Sequence, residues 1–109
     1  MSNLPTELFG DVLVIHTPDE LSDDQINRFV RFVDEREQRK IVLDMNLTEL
    51  VDSEGLTAIL DCQNKVRERH GDLKIASTHT INRKILEMTR LDEQLEVYDS
   101  VVDAVNSYH

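Results

Sequence analysis

Ile41-Val42-Leu43-Asp44-Met45-Asn46-Leu47-Thr48-Glu49-Leu50-Val51-Asp52-Ser53-Glu54-Gly55-Leu56 is the stretch from which the rest of the chain is read, and its pattern runs on to Val66. Ile41, Val42 and Leu43 form an apolar strand that ends at Asp44. A connection of mixed polarity follows, in which Leu47, Leu50 and Val51 are expected to pin the loop down. Asp52 to Leu56 then open an amphipathic helix. Leu56, Ile59, Leu60 and Val66 fall on one side of it with Gln63 between them, while Thr57, Asp61, Asn64, Lys65 and Glu68 fall towards solvent. In an open α/β sheet the carboxyl edge of a strand and the start of the next helix enclose the crevice where ligands and partners meet the fold. The chemistry of this chain is therefore expected at the helix start. Ser53 is placed there as the N-cap hydroxyl, beside exposed backbone N–H groups and the positive end of the helix dipole. A serine so placed can be modified, can hold an anion, or can simply cap.

Upstream, Met1 to Pro5 read as a loose terminus and Glu7 to Phe9 as a short strand. Gly10 and Asp11 turn the chain into Val12-Leu13-Val14-Ile15, a continuous apolar run of the buried-strand kind, closed by His16. A helix is expected from Ser22, where Ser22-Asp23-Asp24-Gln25 has the form of a capping box. Ile26, Phe29, Val30 and Val33 recur at helical spacing, with Phe32 at the edge of the stripe. The run from Asp34 to Lys40 reads as a solvated helix end with its basic residues last. Downstream, Gly71 after His70 is a helix stop and Leu73 to Ala76 a strand. A third helix is expected from about Thr80 to Thr89 with Ile81, Ile85, Leu86 and Met88 inside, and Leu91 and Leu95 pack the connection after it. Glu96-Val97-Tyr98 is a short final strand, and Ser100 with Asp103 caps the last helix ahead of Val101, Val102 and Val105. Strands alternating with helices define one α/β domain over residues 1–109, built on a mixed, mainly parallel sheet.

Composition removes several classes of function. A formal net charge of -10, from 22 acidic and 12 basic residues, opposes binding to a phosphate backbone, and three Phe, two Tyr and no Trp do not make a base-stacking platform. Nucleic acid is not an expected partner. No apolar segment approaches the length that spans a bilayer, so membrane insertion is not expected. The single cysteine, Cys62, forms no internal disulfide, which fits a reducing, cytoplasmic setting; in mid-helix it reads as a small, partly buried hydrophobe. His16, His70, His79 and His109 lack metal-ligand spacing, and with three glycines there is no phosphate-cradling loop. Neither metal, cofactor nor catalytic residue is assigned, and binding rather than enzymatic turnover is expected.

The succession Val42-Leu43-Asp44, then Leu47, then Leu50-Val51-Asp52-Ser53-Glu54-Gly55-Leu56 resembles the signature of the STAS domain, the anti-sigma factor antagonist family. That pattern is an apolar strand ending in Asp, a short connection, then Asp, Ser, a small residue, Gly and Leu at a helix start. Gly71-Asp72-Leu73-Lys74-Ile75, Ile85 to Asp92 and Leu95 to Val105 follow the family's closing order of strand, helix, strand, helix, so the resemblance covers nearly the whole chain from Val12. It implies a bacterial signal-transduction protein that acts on transcription by partner switching. Unmodified, such a protein binds an anti-sigma factor serine kinase; phosphorylated on the serine after the motif's Asp, it lets go; a metal-dependent phosphatase of the PPM type resets it. Carried onto this chain, the resemblance implies phosphorylation at Ser53 and a partner-binding surface of Asp52, Ser53, Glu54, Gly55, Leu56 and Thr57. Glu54 stands where the family carries Ser, Thr or Ala. Two other uses of the same fold remain open: a scaffold that docks through this helix without modification, and a sensor for a small ligand in the crevice.

Overall fold

The computed structural model describes residues 4–22, 24–77 and 95–108. β1 (Thr6–Phe9) and β2 (Val12–His16) form an antiparallel hairpin, turned by Gly10 at φ +63°, a conformation that costs glycine little. β4 (Lys40–Asp44), β6 (Asp72–Ala76) and β7 (Val97–Tyr98) join β2 in parallel, giving one five-stranded sheet in the order β1-β2-β4-β6-β7. Helices α1 (Asp24–Asp34), α2 (Ser53–Glu68) and α3 (Val101–Asn106) make up the described helical part. The expected α/β domain with a mixed, mainly parallel sheet is what forms. The helix expected over Thr80 to Thr89 and Leu91 lie outside the described residues.

The sheet is covered on both faces, and the alternation of side chains along a strand explains why its strands are apolar throughout. Leu13 and Ile15 of β2, Ile41 and Leu43 of β4, and Leu73 and Ile75 of β6 pack into one core with Phe29, Phe32 and Val33 of α1 and Leu56, Ile59, Cys62 and Val66 of α2. The intervening Val12, Val14, Val42 and Ala76 form a second core with Ala104 and Val105 of α3. Lys74 breaks the apolar row on that second face. Its ammonium is 2.8 Å from Ser107 Oγ and 3.1 Å from a Glu96 carboxylate oxygen, and it lies 4.2 Å from the Tyr108 ring centre, so the charge is matched where it is buried.

Several local expectations change. Leu4 packs against the first core and the Pro5 carbonyl accepts from His16 N–H at 2.9 Å, so these two residues are tied down rather than loose. α1 begins at Asp24 and ends at Asp34; of the basic residues expected to finish it, Arg36 and Arg39 lie in the following connection and Lys40 opens β4, and Arg36 stacks 4.1 Å over the Phe32 ring and donates to the Phe32 carbonyl. The left-handed residue that ends α2 is His70 at φ 66°, not Gly71. Gly71 is needed for a different reason: a Cβ there would fall 2.2 Å from the Arg39 carbonyl oxygen. A small second sheet was not anticipated, in which β3 (Glu20–Leu21) pairs in parallel with β5 (Leu50–Val51) and pulls the starts of α1 and α2 together. Of the three apolar residues expected to pin the β4–α2 connection only Val51 is buried; Leu47 is 74% exposed and Leu50 48%. Those two leucines do not pin the loop. Thr48 does, fully buried and donating to the Pro18 carbonyl at 2.7 Å while its hydroxyl also meets that of Thr17.

Candidate functional site at the start of helix α2

Asp44 closes β4 with one carboxylate oxygen 2.8 Å from His16 Nδ1 and the other accepting from Asn46 N–H at 3.0 Å. His16 Nε2 in turn lies 2.7 Å from a Glu7 carboxylate oxygen. This chain of contacts fixes the point at which the connection leaves the sheet, and β5 returns it to α2.

The N-cap of α2 is Asp52, not Ser53. Asp52 has extended backbone angles, and its carboxylate accepts from Gly55 N–H at 2.8 Å while its carbonyl accepts from Leu56 N–H at 3.0 Å. A carboxylate suits the positive end of the dipole better than a neutral hydroxyl, and one residue's shift moves Ser53 into the first helical position. Ser53 is exposed there, and its hydroxyl has no hydrogen-bond partner among the described residues. Two N–H groups of the first turn, those of Ser53 and Glu54, are left for an anion or a partner.

The six residues expected to bind a partner separate by exposure. Ser53, Glu54 and Thr57 are exposed and Asp52 is half-buried. Gly55 and Leu56 lie underneath, Leu56 in the first core. A Cβ on Gly55 would sit 2.2 Å from the Leu21 carbonyl oxygen, so this glycine lets the helix start rest directly on β3. Ser53 and Thr57 face a groove of about 660 Å³ between α1 and α2, whose walls include Ile26, Val30, Arg31 and Ala58. Leu47 and Leu50 add exposed apolar surface on the connection that leads into Ser53. Their signal in sequence was apolarity beside a motif, which burial and docking produce alike. Cys62 is fully buried, and desolvation pushes its thiol up to about 12, so it takes no part. Among the described residues no His, Cys, Asp and Glu side chains gather as metal ligands, and no helix is long and apolar enough to cross a membrane.

Fold and site together define a class: a small α/β domain whose mixed sheet delivers an exposed serine at the first turn of the helix after its central strand. The chain belongs to the STAS domain family, whose pattern matches residues 3–104. No curated protein sequence matches it. Among solved structures it is similar to a Thermotoga maritima protein described as an anti-sigma factor antagonist, at 22% identity over 95% of this chain and 92% of that one, with a TM-score of 0.85. It is also similar to a sulfate transporter family protein from Wolinella succinogenes, at 17% identity over 97% and 88% of the two chains and a TM-score of 0.80. The phosphorylated form of the Bacillus cell fate determinant SpoIIAA matches at 13% identity over 98% and 100%, with a TM-score of 0.71. At these identities the likeness is one of fold.

Proposed function

We propose that this protein is an anti-sigma factor antagonist whose unmodified form binds an anti-sigma factor serine kinase through the start of α2, and whose release follows phosphorylation of Ser53. The observation that carries the reading is the unengaged Ser53 hydroxyl: Asp52 performs the capping, which leaves the serine exposed with no structural duty among the described residues. Family membership and a structural relative described in a phosphorylated form support it.

In the transfer, Ser53 Oγ attacks the γ-phosphorus of ATP held by the kinase. The new O–P bond forms as the bond to the β-phosphate oxygen breaks, ADP leaves, and the hydroxyl proton passes to the kinase's base. A PPM-type phosphatase reverses the modification by directing water at the same phosphorus, which returns the hydroxyl and releases inorganic phosphate. The added group carries about -1.5 to -2 charges, and the free N–H groups of Ser53 and Glu54 would ease its cost to the isolated domain. A partner packed on that spot must desolvate the dianion instead, and each 1.4 kcal/mol of penalty lowers affinity about tenfold. Exposed Leu47 and Leu50 extend the docking surface beyond the motif.

The test compares Ser53→Ala and Ser53→Asp, both confirmed folded, in binding to the kinase. Ser53→Ala is expected to bind and resist modification, and Ser53→Asp to bind poorly; equal binding by the two would sink the switch. Glu54 favours a second reading, a scaffold that docks without modification, because its exposed carboxylate already places charge beside Ser53. On the first reading Glu54→Ser strengthens binding to a typical anti-sigma kinase; on the second it weakens the native contact.

A further inference from the structure

At the opposite edge of the sheet from Ser53, four segments converge on a cleft of about 900 Å³: the β1–β2 turn, the α1–β4 connection, the α2–β6 connection and the end of α3. Leu8, 59% exposed, supplies apolar wall, and Lys74 and Tyr108 line it from the α3 side. Most of the charge in the wall is already matched. Lys40 lies 2.7 Å from an Asp11 carboxylate oxygen, Arg67 lies 3.1 Å from Asp72, and Lys74 is held by Glu96. Arg39 and His70 are the exceptions: both are exposed, both line the cleft, and neither makes an ion pair or side-chain hydrogen bond with another described residue. Glu37 is the one acid in the wall without a basic partner among those residues.

His70 also occupies the left-handed conformation at φ 66°, with a glycine immediately after it. A glycine at position 70 would end the helix at lower backbone cost, so the helix stop by itself does not account for an imidazole there. Strain held at the rim of a cleft is a reason to look for a ligand. The cleft's volume is within the range of small-molecule sites, and its character, with Leu8 on one side and a guanidinium and an imidazole that have no side-chain partner among the described residues on the other, is that of a site for an organic anion.

We propose that this cleft binds a small organic phosphate, with the phosphate between Arg39 and His70 and its apolar body against Leu8 and Tyr108. The site is separate from the surface around Ser53 and does not depend on that serine being modified.

The test is an NMR titration of the ¹⁵N-labelled full chain with phenyl phosphate, and with inorganic phosphate as the headgroup alone. Saturable shifts centred on Arg39, His70, Gly71 and Tyr108 are expected with phenyl phosphate, and weaker ones with inorganic phosphate. Arg39→Gln and His70→Gly are expected to weaken binding about tenfold, whereas Glu37→Gln strengthens it. His70→Gly relieves the backbone, so it is expected to melt at a higher temperature than the parent while binding less well, a combination that a purely structural His70 would not produce. No saturable shift, shifts centred elsewhere, or undiminished binding by Arg39→Gln and His70→Gly would overturn the assignment.

Discussion

Asp52 and Ser53 are neighbours of similar polarity, yet their replacements are expected to act in different ways. Asp52→Ala removes the carboxylate that accepts from Gly55 N–H and is expected to cost about 1 kcal/mol in urea unfolding. Ser53→Ala removes a hydroxyl with no partner among the described residues and is expected to fall within about 0.5 kcal/mol of the parent. The reverse order would return the capping role to Ser53 and weaken the case that it is free for modification. Gly55→Ala is expected to destabilise by about 1–3 kcal/mol, because the new Cβ meets the backbone oxygen of Leu21 and the helix start must lift. An unchanged urea midpoint would contradict that close approach. The motif was legible as residues but not as roles: Asp, Ser and Gly at a helix start are all ordinary there, and which of them caps is decided by a one-residue shift in backbone angles. Burial likewise separated Leu56, expected in the partner-binding surface and found in the core, from Leu47 and Leu50, expected to pin the loop and found exposed.

At the scale of elements, long apolar strands and helices with full stripes were legible because periodicity and burial agree in them. Val12 to Ile15, Ile41 to Asp44, Leu73 to Ala76 and the body of α2 are such cases. β3 and β5 were not, since two-residue strands carry no period and Glu20-Leu21 pairs with Leu50-Val51 only through tertiary placement. α3 has six residues and is too short to persist alone, so its docking determines its stability. Tyr108, just past its end, places its hydroxyl 2.8 Å from the carbonyl oxygens of both Ile41 and Asp72 and so fastens the helix across β4 and β6. Burial raises the Tyr108 phenol above its ordinary value near 10, and the Asp72 carboxylate acts in the same direction. The sign follows from linkage: a raised folded value means the contribution is complete below the titration of an unfolded tyrosine, at about pH 10, and is lost as pH rises above it towards the folded value. Tyr108→Phe is therefore expected to cost about 1–2 kcal/mol at neutral pH and to lessen the alkaline fall in stability, as urea midpoints measured from pH 8 to 11 would record. An alkaline limb identical to the parent's would remove Tyr108 from that account.

Seen whole, the molecule is a sheet with two unequal covers: α1 and α2 over the larger core, and α3 over the smaller one. Continuous apolarity in β2 and β4 foretold a sheet buried on both faces, while strand order and the positions of the groove beside Ser53 and the cleft beside Arg39 needed the fold itself. α2 connects the two edges, with Ser53 at its first position and His70 just past its last turn. Its start bears the exposed serine, and modification there is the event on which the proposed partner switch depends. The most direct measurement is a phosphopeptide map of the native protein from its own cells, in growing and in stressed cultures. The account predicts phosphate on Ser53 with an occupancy that changes between the two. An unmodified Ser53, at full coverage of its peptide in both conditions, would contradict it and leave unmodified docking as the use of this surface.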